Sequence, residues 1–102
     1  MTKDPQITVA VKEILDLIKN ISPGKSVELR VPPYGAIQCV AGSNHRRGTP
    51  PNTVEMSGQT LIRLINEPSL WSDLCESGEV RASGLLSDLS NVLAQAAVKY
   101  RA

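Results

Sequence analysis

Few residues in this chain are equipped for chemistry, and the densest group is "NHRRGTPPN", residues 44–52. It holds the only histidine, His45, beside Arg46 and Arg47. Guanidinium groups match carboxylates and phosphates bidentately, so His45, Arg46 and Arg47 form a candidate anion-holding set. On a nucleic-acid backbone the two arginines, with no wider basic field, would give only weak, salt-sensitive binding. A structural reading also fits: Gly48 and Pro50-Pro51 make a rigid turn that forces extended backbone into the next strand. The arginines are then solvated or paired with Glu55 and Glu67.

Other reactive constellations have no support. Cys39, His45 and Cys75 match no zinc spacing, and no metal or other cofactor is expected. A nucleophilic triad would need His45 as its base, yet neither cysteine has a glycine-flanked, electropositive setting and no serine sits in a G-x-S-x-G elbow. G-x-G-x-x-G and G-x-x-x-x-G-K-[ST] are both missing, and the acids are scattered. No catalytic residue is assigned, and the chain is read as a non-enzyme.

Composition narrows the class further. At 102 residues the chain is one small domain, residues 1–102, with a net charge of +1 and acids and bases interspersed. That balance predicts no nucleic-acid partner. No apolar run approaches a membrane span, and the first twenty residues lack a signal-peptide pattern. Two cysteines without secretory context imply reduced thiols and a cytoplasmic location. Phe is absent and only Tyr34, Trp71 and Tyr100 are aromatic, so the core must be aliphatic.

The elements that position these residues follow from periodicity. Asp4 caps a helix with Pro5 at its first position, and Ile7, Val11, Ile14, Leu15, Ile18 and Ile21 form its apolar face. Val9 and Leu17 widen that face, which suggests burial on two sides or an oligomer contact. "SPGK" ends the helix. "SVELRV" alternates as a half-buried strand, "PPYG" turns, and "AIQCV" pairs back as an antiparallel hairpin. "TVEM" is a third strand. Ser57 caps the helix "GQTLIRLINE", Pro68 stops it, and Ser69 or Ser72 starts "SLWSDLCES", closed by Gly78. "EVRAS" is a strand broken by Gly84, and Ser87 caps "DLSNVLAQAAVKYRA". The order α-β-β-β-α-α-β-α predicts an α+β domain with a mainly antiparallel sheet.

The run "QTLIRLINEPSLWSDLCESGEVRASGLLSDLSNVL", with "VELRVPPYGAIQCV" and "HRRGTPPNTVEM" upstream, resembles sterol carrier protein-type domains of a small bacterial branch. The parts that carry the likeness are residues 60–66, residues 70–77, Gly78, "EVRASG" and "DLSNVL". The resemblance spans roughly residues 27–93. It implies a curved sheet of about five strands with helices on one face and, between them, a hydrophobic tunnel for fatty acyl chains, acyl-CoA or sterols. Leu61, Ile62, Leu64, Ile65, Leu70, Trp71 and Leu74 would line it, with Leu89, Val92 and Leu93 closing it. His45, Arg46 and Arg47 would hold an anionic group at its mouth. These aliphatic stripes also suit an ordinary core. Members of the superfamily also serve as accessory modules of larger enzymes, so the alternative is a protein–protein interaction module, either with a separate partner or as a homo-oligomer.

Overall fold

Asp4 begins the first helix as its sequence requires: Oδ1 accepts from the amides of Gln6 (2.9 Å) and Ile7 (3.4 Å), and Pro5 fills the first helical position. In the computed structural model, which describes residues 3–42 and 52–101, α1 runs Pro5–Ile21. Strands β1 (Val27–Val31), β2 (Gly35–Cys39) and β3 (Asn52–Met56) follow. Then come α2 (Gly58–Asn66), a 3-10 turn at Pro68–Leu70, α3 (Trp71–Ser77), β4 (Val80–Ser83) and α4 (Ser90–Arg101).

Period-2 alternation decides which face of the sheet is covered. Val27, Leu29 and Val31 of β1 and Val54 and Met56 of β3 are buried, as is Val80. Against them pack Val11, Ile14, Leu15 and Ile18 of α1, Leu61, Leu64 and Ile65 of α2, and Leu93, Ala96 and Ala97 of α4. The helices thus share one side of the sheet. The other face is polar. There Arg30, Glu55 and Arg81 stand opposite one another on β1, β3 and β4, in a row of alternating sign. Arg81 bonds Glu55 across the strands at 2.6 Å, and Arg30 bonds Glu28 at 2.8 Å.

Two expectations about the sheet require correction. It is mixed, and among the described residues it has four strands, in the order β2-β1-β3-β4, where the resemblance implies about five and the pattern a mainly antiparallel one. β1 pairs antiparallel with β2, but its other neighbour, β3, runs parallel to it. The tight hairpin uses one edge of β1, and the long connection after β2 carries the chain across to the free edge. β3 and β4 then pair antiparallel.

Helix starts also differ in two places. α4 begins at Ser90, three residues beyond the expected cap at Ser87. Gly84 opens a tight turn whose carbonyl accepts from the Ser87 amide (3.3 Å) and hydroxyl (2.7 Å), so residues 84–87 are spent before the helix starts. Neither Ser69 nor Ser72 caps α3; the 3-10 turn leads straight into it, and no side chain caps its N-terminus. Ser57 does cap α2, its Oγ accepting from the Thr60 amide at 3.1 Å, and Gly78 closes α3 with φ of 85°.

Candidate functional site

At the end of the sheet where β1 and β3 begin, Asn52 is the organising residue. It is buried, and polar groups in such positions persist only when bonded. Its Nδ2 donates to the Ser26 carbonyl at 2.8 Å, and its Oδ1 accepts from the Leu86 amide at 3.0 Å. One side chain therefore ties the start of β1 to the turn between β4 and α4. Gly84 must be glycine here: φ is 110°, and a Cβ would lie 2.1 Å from Asn52 Oδ1. The Leu86 side chain lies over Gly42, where a Cβ would come within 3.0 Å of it and 2.2 Å of Ser26 Oγ.

The strand end on the other side is clasped as well. The Val40 amide donates to the Ser22 carbonyl (2.7 Å), and the Val40 carbonyl accepts from the Ser26 amide (3.1 Å). Val40 takes a left-handed φ of 68°, an unfavourable conformation for a β-branched residue that these bonds hold in place.

These anchors frame an open cavity of about 570 Å³ lined by Ser26, Ala41, Gly42, Asn52, Gly84, Leu85 and Leu86. Leu85 is fully exposed (101%) and Leu86 is 41% exposed, so the chain presents two leucines to water at the rim. An apolar opening with a few fixed polar groups suits an apolar ligand with a polar end. Gly42 and Asn52, both in its wall, are the described residues that flank residues 43–51.

The ten residues expected to line a tunnel come together in the core. Leu61, Leu64, Ile65, Trp71, Leu74, Leu89 and Leu93 are buried in one cluster, and Ile62, Leu70 and Val92 pack against it. None of the ten lines this cavity. His45, Arg46 and Arg47 lie outside the described residues. Sequence reasoning overlooked Asn52, Gly84, Leu85 and Leu86. A Gly-Leu-Leu run outside any helical register was the available signal, because paired leucines in a turn have no core to enter.

Among the described residues, neither thiol is activated. Burial pushes the Cys39 thiol up to about 11, and Cys75 is raised by burial and then by the charge of Asp88. Asp88 is itself lowered, first by its hydrogen bond with the Ser90 hydroxyl, then by the Ser90 amide. Among the described residues no His, Cys, Asp and Glu cluster could hold a metal, and no helix is long and apolar enough to cross a membrane.

The model of the bacterial SCP ortholog family matches residues 3–94. The chain belongs to that family. It is a sterol carrier protein-like domain, as the Gly78-strand-Gly84 segment and its flanking helices suggest. A solved structure described as a UbiJ-SCP2 ubiquinone synthesis protein has a similar fold, with a TM-score of 0.56 at 16% identity. The match covers 100% of this chain and 98% of the other. No curated protein matches the sequence significantly.

Proposed function

We propose that this domain is a non-enzymatic binder of an apolar ligand, a fatty acid, acyl-CoA or sterol-like lipid, which it carries or presents. The observation that carries the reading is the open cavity of about 570 Å³ with Leu85 and Leu86 at its rim. Leaving Leu85 in water forgoes about 1.5–3 kcal/mol, and the already half-buried Leu86 forgoes a fraction of that, a cost that ligand contact would recover.

The tail would enter past Leu86 towards Leu89 and Leu93, parting the side chains of α2, α3 and α4 that include Leu61, Leu64, Ile65, Trp71 and Leu74. The polar end would be held by His45, Arg46 and Arg47. Along the chain, Arg46 and Arg47 are four and five residues from Gly42, which lines the cavity. Acyl-CoA and fatty acids supply the phosphate or carboxylate this set fits.

The exposed leucines also suit a second reading, in which the domain docks on an enzyme that acts on an apolar substrate. The name of its structural neighbour, a ubiquinone synthesis protein, is in keeping with that role. Native mass spectrometry of gently purified protein, with extraction of any adduct, separates the two. A stoichiometric lipid, lost in Leu85→Ser/Leu86→Ser and weakened for acidic ligands in Arg46→Ala/Arg47→Ala, supports carriage. Protein that carries no adduct and refuses added acyl ligands refutes it.

A further inference from the structure

The row Arg30–Glu55–Arg81 ends on a cation at the edge of the sheet. β4 pairs only with β3 among the described residues, and the Arg81 side chain is 71% exposed. A groove of about 620 Å³ follows β4 and is lined from both of its sides, by Cys75, Gly78 and Ala82 as well as by Arg30, Thr53, Glu55, Arg81 and Ser83. Its edge is therefore reachable from either side, the condition for strand addition.

We propose that this edge pairs with a second copy of the same chain, β4 against β4 antiparallel, giving one continuous sheet across the two copies. The two-fold axis must be perpendicular to the sheet if both helical layers share one side. Directly opposed residues of an antiparallel pair point to the same face. Each alignment must therefore centre on a single residue and its own copy. Centring on Glu79 or on Arg81 opposes like charges. Centring on Ala82 sets Arg81 against Ser83.

Only centring on Val80 places Arg81 opposite Glu79 of the second copy, twice by symmetry, with Val80 beside Val80 on the helical side. That alignment extends the row as Arg30–Glu55–Arg81–Glu79 and continues the alternation across the junction. Glu79 is exposed; its carboxylate accepts from the Ser77 hydroxyl at 3.1 Å, and its ion pair with Arg63 spans 3.9 Å, long enough to be exchanged.

Sedimentation of the full chain over micromolar to millimolar concentration tests this. The wild type self-associates to a dimer. Glu79→Arg and Arg81→Glu each weaken dimerisation about tenfold or more, since two symmetry-related pairs become like-charged. Circular dichroism identifies any variant that fails to fold. The decisive arm mixes the two variants: one copy then offers arginine at both positions and the other glutamate at both, so a mixed dimer returns with wild-type strength. A wild type that stays monomeric, a dimer indifferent to either change, or mixed variants that do not associate overturns the proposal.

Discussion

Replacing Asn52 with alanine tests whether one buried amide holds the cavity end together. The change removes the 2.8 Å bond to the Ser26 carbonyl and the 3.0 Å bond from the Leu86 amide. Ser26 is buried, so its carbonyl loses a partner away from water, at about 1–3 kcal/mol. The Leu86 amide is only partly buried and water can replace its partner, adding about 0.5–1 kcal/mol. The expected loss is therefore about 1.5–4 kcal/mol, or roughly 7–20 °C in Tm for a domain of this size. Urea unfolding monitored by Trp71 fluorescence, with thermal circular dichroism beside it, measures the change.

Asn52→Asp gives the result an independent signature. Its carboxylate would still accept from Leu86 but would face the Ser26 carbonyl without a proton to donate. Burial against that oxygen raises the new group's folded pKa, so this variant gains stability relative to wild type as pH falls. Protonation restores the donor. A loss below about 0.5 kcal/mol in Asn52→Ala, within the range of ordinary surface changes, would refute the reasoning. So would an Asn52→Asp variant whose deficit ignores pH.

Three further outcomes follow from the same geometry. Gly84→Ala must place a Cβ 2.1 Å from Asn52 Oδ1 as well as strain its backbone, whereas Gly78→Ala meets open space and carries only the left-handed penalty. Chemical denaturation should show about 1–2 kcal/mol lost for Gly78→Ala and clearly more for Gly84→Ala. With its thiol pushed up to about 11, Cys39 holds roughly one thiolate per thousand at pH 8. Timed alkylation followed by peptide mass spectrometry should therefore label Cys75 well before Cys39. Asp88, lowered by Ser90, contributes stability above its unfolded value that is lost as pH falls through its folded value. The stability gap between wild type and Asp88→Asn should close in acid, which urea titrations across pH will show.

The parts of the fold that local rules govern were readable in advance. Asp4-Pro5, the Ile and Leu spacing of α1, Ser57 ahead of α2 and Gly78 after α3 each settle a helix boundary by satisfying particular amides or a left-handed angle. The strands followed from the alternation of Val27, Leu29 and Val31. The side of β1 on which β3 docks did not follow, because alternation fixes a strand's faces and leaves its neighbours and direction open. The start of α4 was misplaced because Ser87 has the chemistry of a cap but spends its hydroxyl on Gly84. The ten residues expected to line a tunnel were legible as members of one apolar cluster. The cavity was not, since it is assembled from Ser26, Gly42, Asn52 and Leu86, which meet only through tertiary bonds.

The clasp around Val40 and the anchoring of Asn52 also bear on how this domain evolves. Both ends of the connection between β2 and β3 are fastened, at Ser22 and Ser26 on one side and within β3 on the other. For a loop with fixed ends, each doubling of length costs only about 0.6 kcal/mol, little against the roughly 5–15 kcal/mol that keeps a domain folded. As far as loop closure is concerned, the length between Gly42 and Asn52 is thus nearly free to drift. Under the proposed function, selection for a new ligand head group and selection for a stable fold would act on separate residues.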